Sequence, residues 1–297
     1  MERKFIFLVL TLCAVCGMMS STYASAVDIT DEANANEPID YSGYVNMVSP
    51  ENPAHKYFYA SGVDEPNCNE PNWSSQGSST HQFIVRNACT IVKNNYSSSY
   101  LNAQTARLRV YSDLPDDPSY NQTGNGKFSG HFYNPDTGLT WTDPLNPGLS
   151  GTSRSATAKD RLVWWYNEAI RRYNNGNNIT SAEALAFALH YAADLSEPHH
   201  ATNQIAIITN HEIFEDWVLE HQNSYTTTSA TSSTFSWARK TSIKDMGHNF
   251  AVNAKDWVGK ANYTGTFPEA TENTLPKAQR NCAAVIYKFL VDVGELS

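Results

Sequence analysis

His190-Tyr-Ala-Ala-Asp194-Leu-Ser-Glu-Pro-His199-His200, followed by His211-Glu-Ile-Phe-Glu215, is the stretch on which the reading of this chain turns. His190 and Asp194 stand four residues apart, and so do His211 and Glu215, a spacing that projects both members of each pair from one face of a helix. Imidazole and carboxylate without cysteine form a borderline-hard N/O donor set of the kind zinc takes. His200 belongs to the connection between the two helices, and chemistry alone does not separate it from His199. A lone histidine on a helix face is ordinarily a core or surface residue. Five metal-capable groups within 26 positions, paired at helical spacing on consecutive helices, point to a metal centre instead. Further candidates lie upstream: His81, Asp113 or its neighbours Asp116 and Asp117, and His131.

Outward from this stretch the periodicity is helical. Thr180-x-x-Glu183 reads as a capping box opening a helix that runs through Ala184, Leu185, Ala188, Leu189 and His190 to about Leu195, with Pro198 as its stop. Upstream, Leu162, Trp165, Tyr166, Ala169 and Ile170 mark a helix over 156–173. His81, Ile84, Val85, Ala88, Ile91 and Val92 mark one ending near Tyr96, and a shorter one is expected over 106–111. Further helices are expected over 211–225, 235–257 and 276–293. Residues 114–147 are rich in Gly, Pro, Asp and Asn and read as a long loop, which inside a compact domain is functional or tied down. Strand-like alternation is scarce. The expected architecture is all-α, a single bundle of about seven helices. Trp164, Trp165 and Tyr166 are assigned to core packing, and His55, His221 and His248, without a paired carboxylate at matching spacing, to surface or structural roles.

At the amino end Glu2, Arg3 and Lys4 precede an apolar run over 5–19 and then Ala24-Ser25-Ala26, the pattern of a secretory signal peptide cleaved after Ala26. The run is short for a membrane span and no other stretch approaches one, so a secreted, extracellular chain without a transmembrane anchor is expected. Residues 27–72 are acidic, with scattered Asn, Pro and Ser and no sustained period, and read as a propeptide or linker. The remaining domain covers 73–297. After signal removal Cys68, Cys89 and Cys282 are left, an odd number for an oxidising compartment; a cut between Cys68 and His81 would leave Cys89 and Cys282 as either a pair or two buried thiols. The 297 residues carry 21 Lys+Arg against 30 Asp+Glu, a net charge of −9 that argues against a basic polyanion binder. That acidity is uneven: 3 basic and 10 acidic residues precede Trp73, leaving 18 and 20 in the rest.

With these motifs in place the sequence resembles the zinc-dependent phospholipase C family of secreted bacterial enzymes, which shares its fold and three-zinc cluster with the S1/P1 nucleases. The His-x3-Asp-x5-His segment followed by His-x3-Glu is matched by His190, Asp194, His200, His211 and Glu215, which selects His200 over His199. Ser79-Thr80-His81-Gln-Phe-Ile-Val-Arg-Asn-Ala88 is similar to the family's first helix. His131-Phe-Tyr-Asn-Pro-Asp-Thr-Gly138 resembles the phospholipase form of the middle loop more than the nuclease form.

The resemblance implies one zinc on Asp113, His131, His190 and Asp194, with Asp116 as the fallback for Asp113, and a second on His200, His211 and Glu215. A third would rest on His81, on Asp194 as a bridge, and on the amino nitrogen and carbonyl oxygen of Trp73, once cleavage after Asn72 makes Trp73-Ser-Ser-Gln76 the mature start. Asp113 is implied as the group that orients or deprotonates the attacking water. Gln76, Leu114 and Phe128 stand where choline-preferring members carry an acid, a Tyr and a Phe, so that a quaternary ammonium should be held less well here. The implied reaction is hydrolysis of phospholipids of the phosphatidylcholine type on the glycerol side of the phosphate, by a monomer at a membrane surface. No C-terminal β-domain is expected, and an S1/P1-like nuclease is the alternative. Three Zn²⁺ would bring the acidic site close to neutral and suit it to a phosphodiester.

Overall fold

The computed structural model describes residues 79–116, 129–140, 156–204 and 209–297. The expected signal peptide, the acidic segment, Cys68, Trp73, Gln76, Asp117, Phe128 and most of the Gly/Pro-rich loop lie outside the described residues.

Described residues form α1 (Thr80–Lys93), α2 (Ser99–Tyr111), α3 (Ala158–Asn174), α4 (Asn178–Asp194), α5 (His211–His221), α6 (Ser232–Lys240), α7 (Ile243–Lys255), the single turn α8 (Val258–Ala261) and the long α9 (Phe267–Asp292). No strand occurs among them, only an isolated antiparallel bridge between Asn134 and Leu139, and the chain is all-α. The architecture is organised around α4. Every residue from Ser181 to Asp194 is buried, as expected of a helix that is apolar all round, and its alanines at 182, 184, 186, 188, 192 and 193 let neighbouring helices approach closely. Helices α1, α2, α3 and α9 all pack against it, α3 most extensively. Of the two acidic residues along its buried length, Glu183 is held by Arg107 at 3.1 Å and Asp194 ends the helix. Such a carboxylate is tolerated inside only because it is paired.

Several element boundaries differ from expectation, each for a local reason. Helix α4 begins at Asn178 because the Asn177 side chain accepts from Thr180 N–H, so Thr180 and Glu183 lie inside the helix rather than capping it. A full capping box stands instead at Thr157 and Asp160, opening α3. The expected helix over 235–257 is two helices, α6 and α7, because the Ser242 hydroxyl accepts from Asp245 N–H and starts a new helix. Helix α9 begins well before Pro276 and runs through it. The carbonyl of Glu272, deprived of its donor by the proline, is on the exposed side of the helix. Tyr166 and Trp165 are buried in the core, with Trp164 partly buried against it. Cys89 and Cys282 are free buried thiols. Burial pushes the Cys89 thiol up to about 12 and raises that of Cys282 as well. Among the described residues no helix is long and apolar enough to cross a membrane.

Candidate metal centre

The metal-capable side chains collect at the carboxyl end of α4, and each comes from a helix terminus or a tight turn. His190 and Asp194 occupy the last two turns of α4, His81 the first turn of α1, and His211 and Glu215 the first two turns of α5. Three 3-10 turns, Leu114–Asp116, Ser129–His131 and His200–Thr202, supply the others. The unpaired carbonyls at a helix carboxyl end carry partial negative charge, which favours cations there.

Asp194 lies at the centre. Its Oδ2 is 2.9 Å from His131 Nδ1 and 3.2 Å from His190 Nε2. Its Oδ1 is 3.5 Å from His81 Nε2 and 3.4 Å from His200 Nδ1. On the far side of His200, Glu215 Oε1 is 3.4 Å from His200 Nε2 and 3.0 Å from His211 Nε2. Donors around a tetrahedral zinc with arms of 2.0–2.1 Å are spaced by about 3.3 Å, so both sets fit zinc with shifts of a few tenths of an ångström. The donor nitrogens are oriented from behind. His190 Nδ1 donates to the Ser112 carbonyl at 2.8 Å, and His200 Nδ1 to the His131 carbonyl at 3.0 Å. In each ring this leaves Nε2 as the lone-pair nitrogen facing the cluster, the outer-shell arrangement that metal-binding histidines use. His211 Nε2 is buried with no aligned hydrogen bond although Glu215 Oε1 lies 3.0 Å away, a cost that a metal between them would remove.

The acidic residue of the 111–117 region that faces the cluster is Asp116, and Asp113, expected as ligand, is turned elsewhere. Asp116 approaches His81 Nε2 at 3.5 Å and both His131 Nδ1 and His190 Nε2 at 3.6 Å. Asp113 instead accepts hydrogen bonds from the Ser79 hydroxyl and the Gln82 amide. The reason is geometric: α2 ends at Tyr111, and burial of Leu114 and Pro115 turns the next residue, Asp116, toward the histidines. Leu114, expected near the headgroup, is 5% exposed and packs in the core. His199, which spacing alone did not separate from His200, stacks on His211 with ring centroids 4.9 Å apart and points its nitrogens at Glu197 and Asn262. Glu197 is the acidic residue that sequence reasoning passed over. Its carboxylate, His200 and His211 form one of three groups among the described residues whose donor atoms could hold a metal, the others being His81, His190 and Asp194, and Asp116, His131 and His190. Neither His221 nor His248 belongs to such a group among the described residues.

Burial in this centre opposes charge on every imidazole, and the carboxylates decide where it is overcome. At His190 and His200 burial lowers the pKa, but Asp194 and its companions outweigh it and raise the two to about 9 and about 10. Burial prevails at His81 and His131, which stay below their usual value. Asp194, despite burial, is held well below the carboxylate range by His190, His200 and His131. In the metal-free chain the two raised histidines contribute stability that is complete below about 6.5 and is lost as pH rises through about 9 to 10. The two lowered ones contribute stability present above about 6.5 and lost as pH falls. Chelated protein is therefore expected to melt highest near pH 6.5 and to lose stability steadily toward pH 9 to 10. A melting temperature that keeps climbing from pH 9 to 10 would contradict this. Zinc loading at pH 7 must displace the protons of His190 and His200, and titration calorimetry in buffers of different ionisation enthalpy should show their release.

Residues 80–264 match the family described as zinc dependent phospholipase C, and the chain belongs to that family. Among the similar proteins is a phospholipase C of Clostridium perfringens, 27% identical over 247 residues, a match covering 74% of this chain and 61% of that protein. A phospholipase C of Bacillus cereus is 27% identical over 228 residues, covering 70% of this chain and 72% of that one. The chain thus spans about three-fifths of the clostridial relative it matches. The alpha toxin of Clostridium absonum shares the fold with a TM-score of 0.65 at 23% identity, over 72% of this chain and 64% of that one.

Proposed function

We propose that this chain is a three-zinc phospholipase C that cleaves the glycerol-side phosphodiester bond of a phospholipid. The observation that carries this reading is a cavity of about 240 Å³ at the metal centre. Its lining combines His81, Asp116, Asp194 and Glu215 with aliphatic side chains including Ile84, Val218, Leu219 and Leu275. A phospholipid has the same combination, an anionic phosphodiester next to apolar chains. A nuclease of this fold class would want rings for bases to stack on, and the aromatic residue of this wall is Phe214.

One zinc would sit on Asp116, His131, His190 and Asp194, a second on His200, His211 and Glu215, and a third on His81 and Asp194. The amino nitrogen and carbonyl of Trp73 would complete the third after cleavage of 1–26 and 27–72. Bound there, zinc would polarise the phosphoryl group and make hydroxide available near pH 7. The protein's own part is positional. Asp194 holds four imidazoles in register, and the carbonyls of Ser112 and His131 fix the ring orientations. Asp116 keeps about half its side chain in solvent, so its carboxylate can reach a water beside the scissile phosphorus and orient or deprotonate it.

Hydrolysis of phosphatidylcholine, phosphatidylethanolamine and single-stranded DNA, measured side by side on the secreted protein, tests the proposal. Diacylglycerol and a phosphorylated headgroup from either lipid are expected, with the DNA untouched. DNA cleavage without lipid hydrolysis would overturn it. Amino-terminal sequencing of the same sample should read Trp-Ser-Ser-Gln.

A further inference from the structure

Glu197 lies in the turn that follows α4, its N–H donating to the Asp194 carbonyl at 3.0 Å. One carboxylate oxygen accepts from His199 Nδ1 at 2.8 Å. The other accepts from the His200 backbone N–H at 2.7 Å and stands 3.9 Å from His211 Nε2. This oxygen therefore faces the nitrogens of the second metal position, on which Glu215 closes from another direction. His211 is 6% exposed, and its Nε2 lies between the two carboxylates, 3.0 Å from Glu215 Oε1 and 3.9 Å from this Glu197 oxygen. Behind Glu197 the support is continuous. His199 Nε2 is 3.2 Å from Asn262 Oδ1, which also accepts the N–H of Asn210, the residue preceding His211. The carboxylate is thus tied through His199 and Asn262 to the start of the helix that carries His211 and Glu215.

Resting on the zinc reading above, we propose that Glu197 is a fourth protein donor to the ion held by His200, His211 and Glu215. Catalytic zinc sites keep three protein donors and an open position, and structural sites have four protein donors. With Glu197 in place the second ion has a closed set of four protein donors, as the ion on Asp116, His131, His190 and Asp194 has, and both exchange more slowly than the third. The position left with fewest side-chain donors is then the third, at His81 and Asp194 on the cavity. His199 is a positioning residue that holds the Glu197 carboxylate in its orientation.

The test is the release of zinc from the loaded full chain to an excess of chromogenic chelator, for wild type, Glu197→Gln, His199→Gln and, as an exposed control on α5, Glu212→Gln. Wild type should show a slow phase equivalent to two zincs per chain, and the variants are read on the half of it that belongs to the second ion. Outer-shell substitutions cost about 10- to 100-fold in metal affinity, and His199→Gln should accelerate the slow phase toward the low end of that range. Loss of a direct donor should accelerate it by on the order of 100-fold or more in Glu197→Gln, while Glu212→Gln leaves it unchanged. Melting of the chelated forms checks folding, and should Glu197→Gln fail to fold, Glu197→Asp replaces it, since shortening the side chain withdraws the oxygen but keeps its charge. A slow phase unchanged in the Glu197 variant overturns the proposal and leaves the three-zinc reading standing. Absence of any retained zinc in wild type overturns that reading itself.

Discussion

Asp194→Asn protein is expected to retain at most one zinc per chain and to lose phospholipid hydrolysis by at least about 1,000-fold, equivalent to roughly 4 kcal/mol of transition-state stabilisation. The size of the effect follows from position. Asp194 is 2% exposed and faces His81, His131, His190 and His200, between 2.9 and 3.5 Å away. An amide there cannot bridge two ions, and it takes from His131, His190 and His200 a buried carboxylate that the more exposed Asp116 and Glu215 do not replace. The metal-free form should suffer independently, because His190 and His200 owe their raised pKa values chiefly to this carboxylate. Breaking a buried charge pair by removing one partner costs about 3–5 kcal/mol, so the chelated variant should unfold at distinctly lower denaturant than chelated wild type. A variant with full zinc content and near-normal turnover would show that Asp194 is not the bridge.

Asp116→Asn and Asp113→Asn should separate sharply although the residues are three apart. Asp116 faces three histidines across the centre, and its loss should lower turnover by about 100-fold or more, the lower end for removal of a strong electrostatic contact in a reacting site. Asp113 is occupied by Ser79 and Gln82 at the start of α1. Its amide analogue keeps the acceptor for one of these bonds, so zinc content and turnover should stay within about tenfold of wild type, the change expected from roughly 1 kcal/mol of lost hydrogen bonding. Steady-state kinetics with zinc measured on each preparation decides the matter, and the reverse order of effects would return the loop ligand to Asp113.

What the sequence made legible follows from which rules act locally. His190 with Asp194, and His211 with Glu215, were readable because i,i+4 spacing fixes relative direction on any helix, whatever surrounds it. The central helix itself was readable from its unbroken small and apolar composition. Asp116 was not, since a carboxylate in a 3-10 turn beyond a helix end is aimed by tertiary contacts, here the burial of Leu114 and Pro115. Glu197 was hidden for a related reason: it follows the last α-turn, and only the fold brings His211 of the next helix alongside it. The break between α6 and α7 did have a local signal, Ser242 three residues before Asp245, which was masked by a periodicity that runs on across it. The passage of α9 through Pro276 had none, because it depends on which side of the helix meets solvent.

The net charge of −9 misled at first sight, since the acidic excess is concentrated before Trp73 and part of the remainder faces histidines at the metal centre. The most direct test of a trinuclear zinc hydrolase is therefore elemental zinc per chain in the mature secreted protein. Three equivalents are expected. One equivalent would contradict a trinuclear centre and point to a closed structural site, and none would remove zinc from the account of this chain altogether.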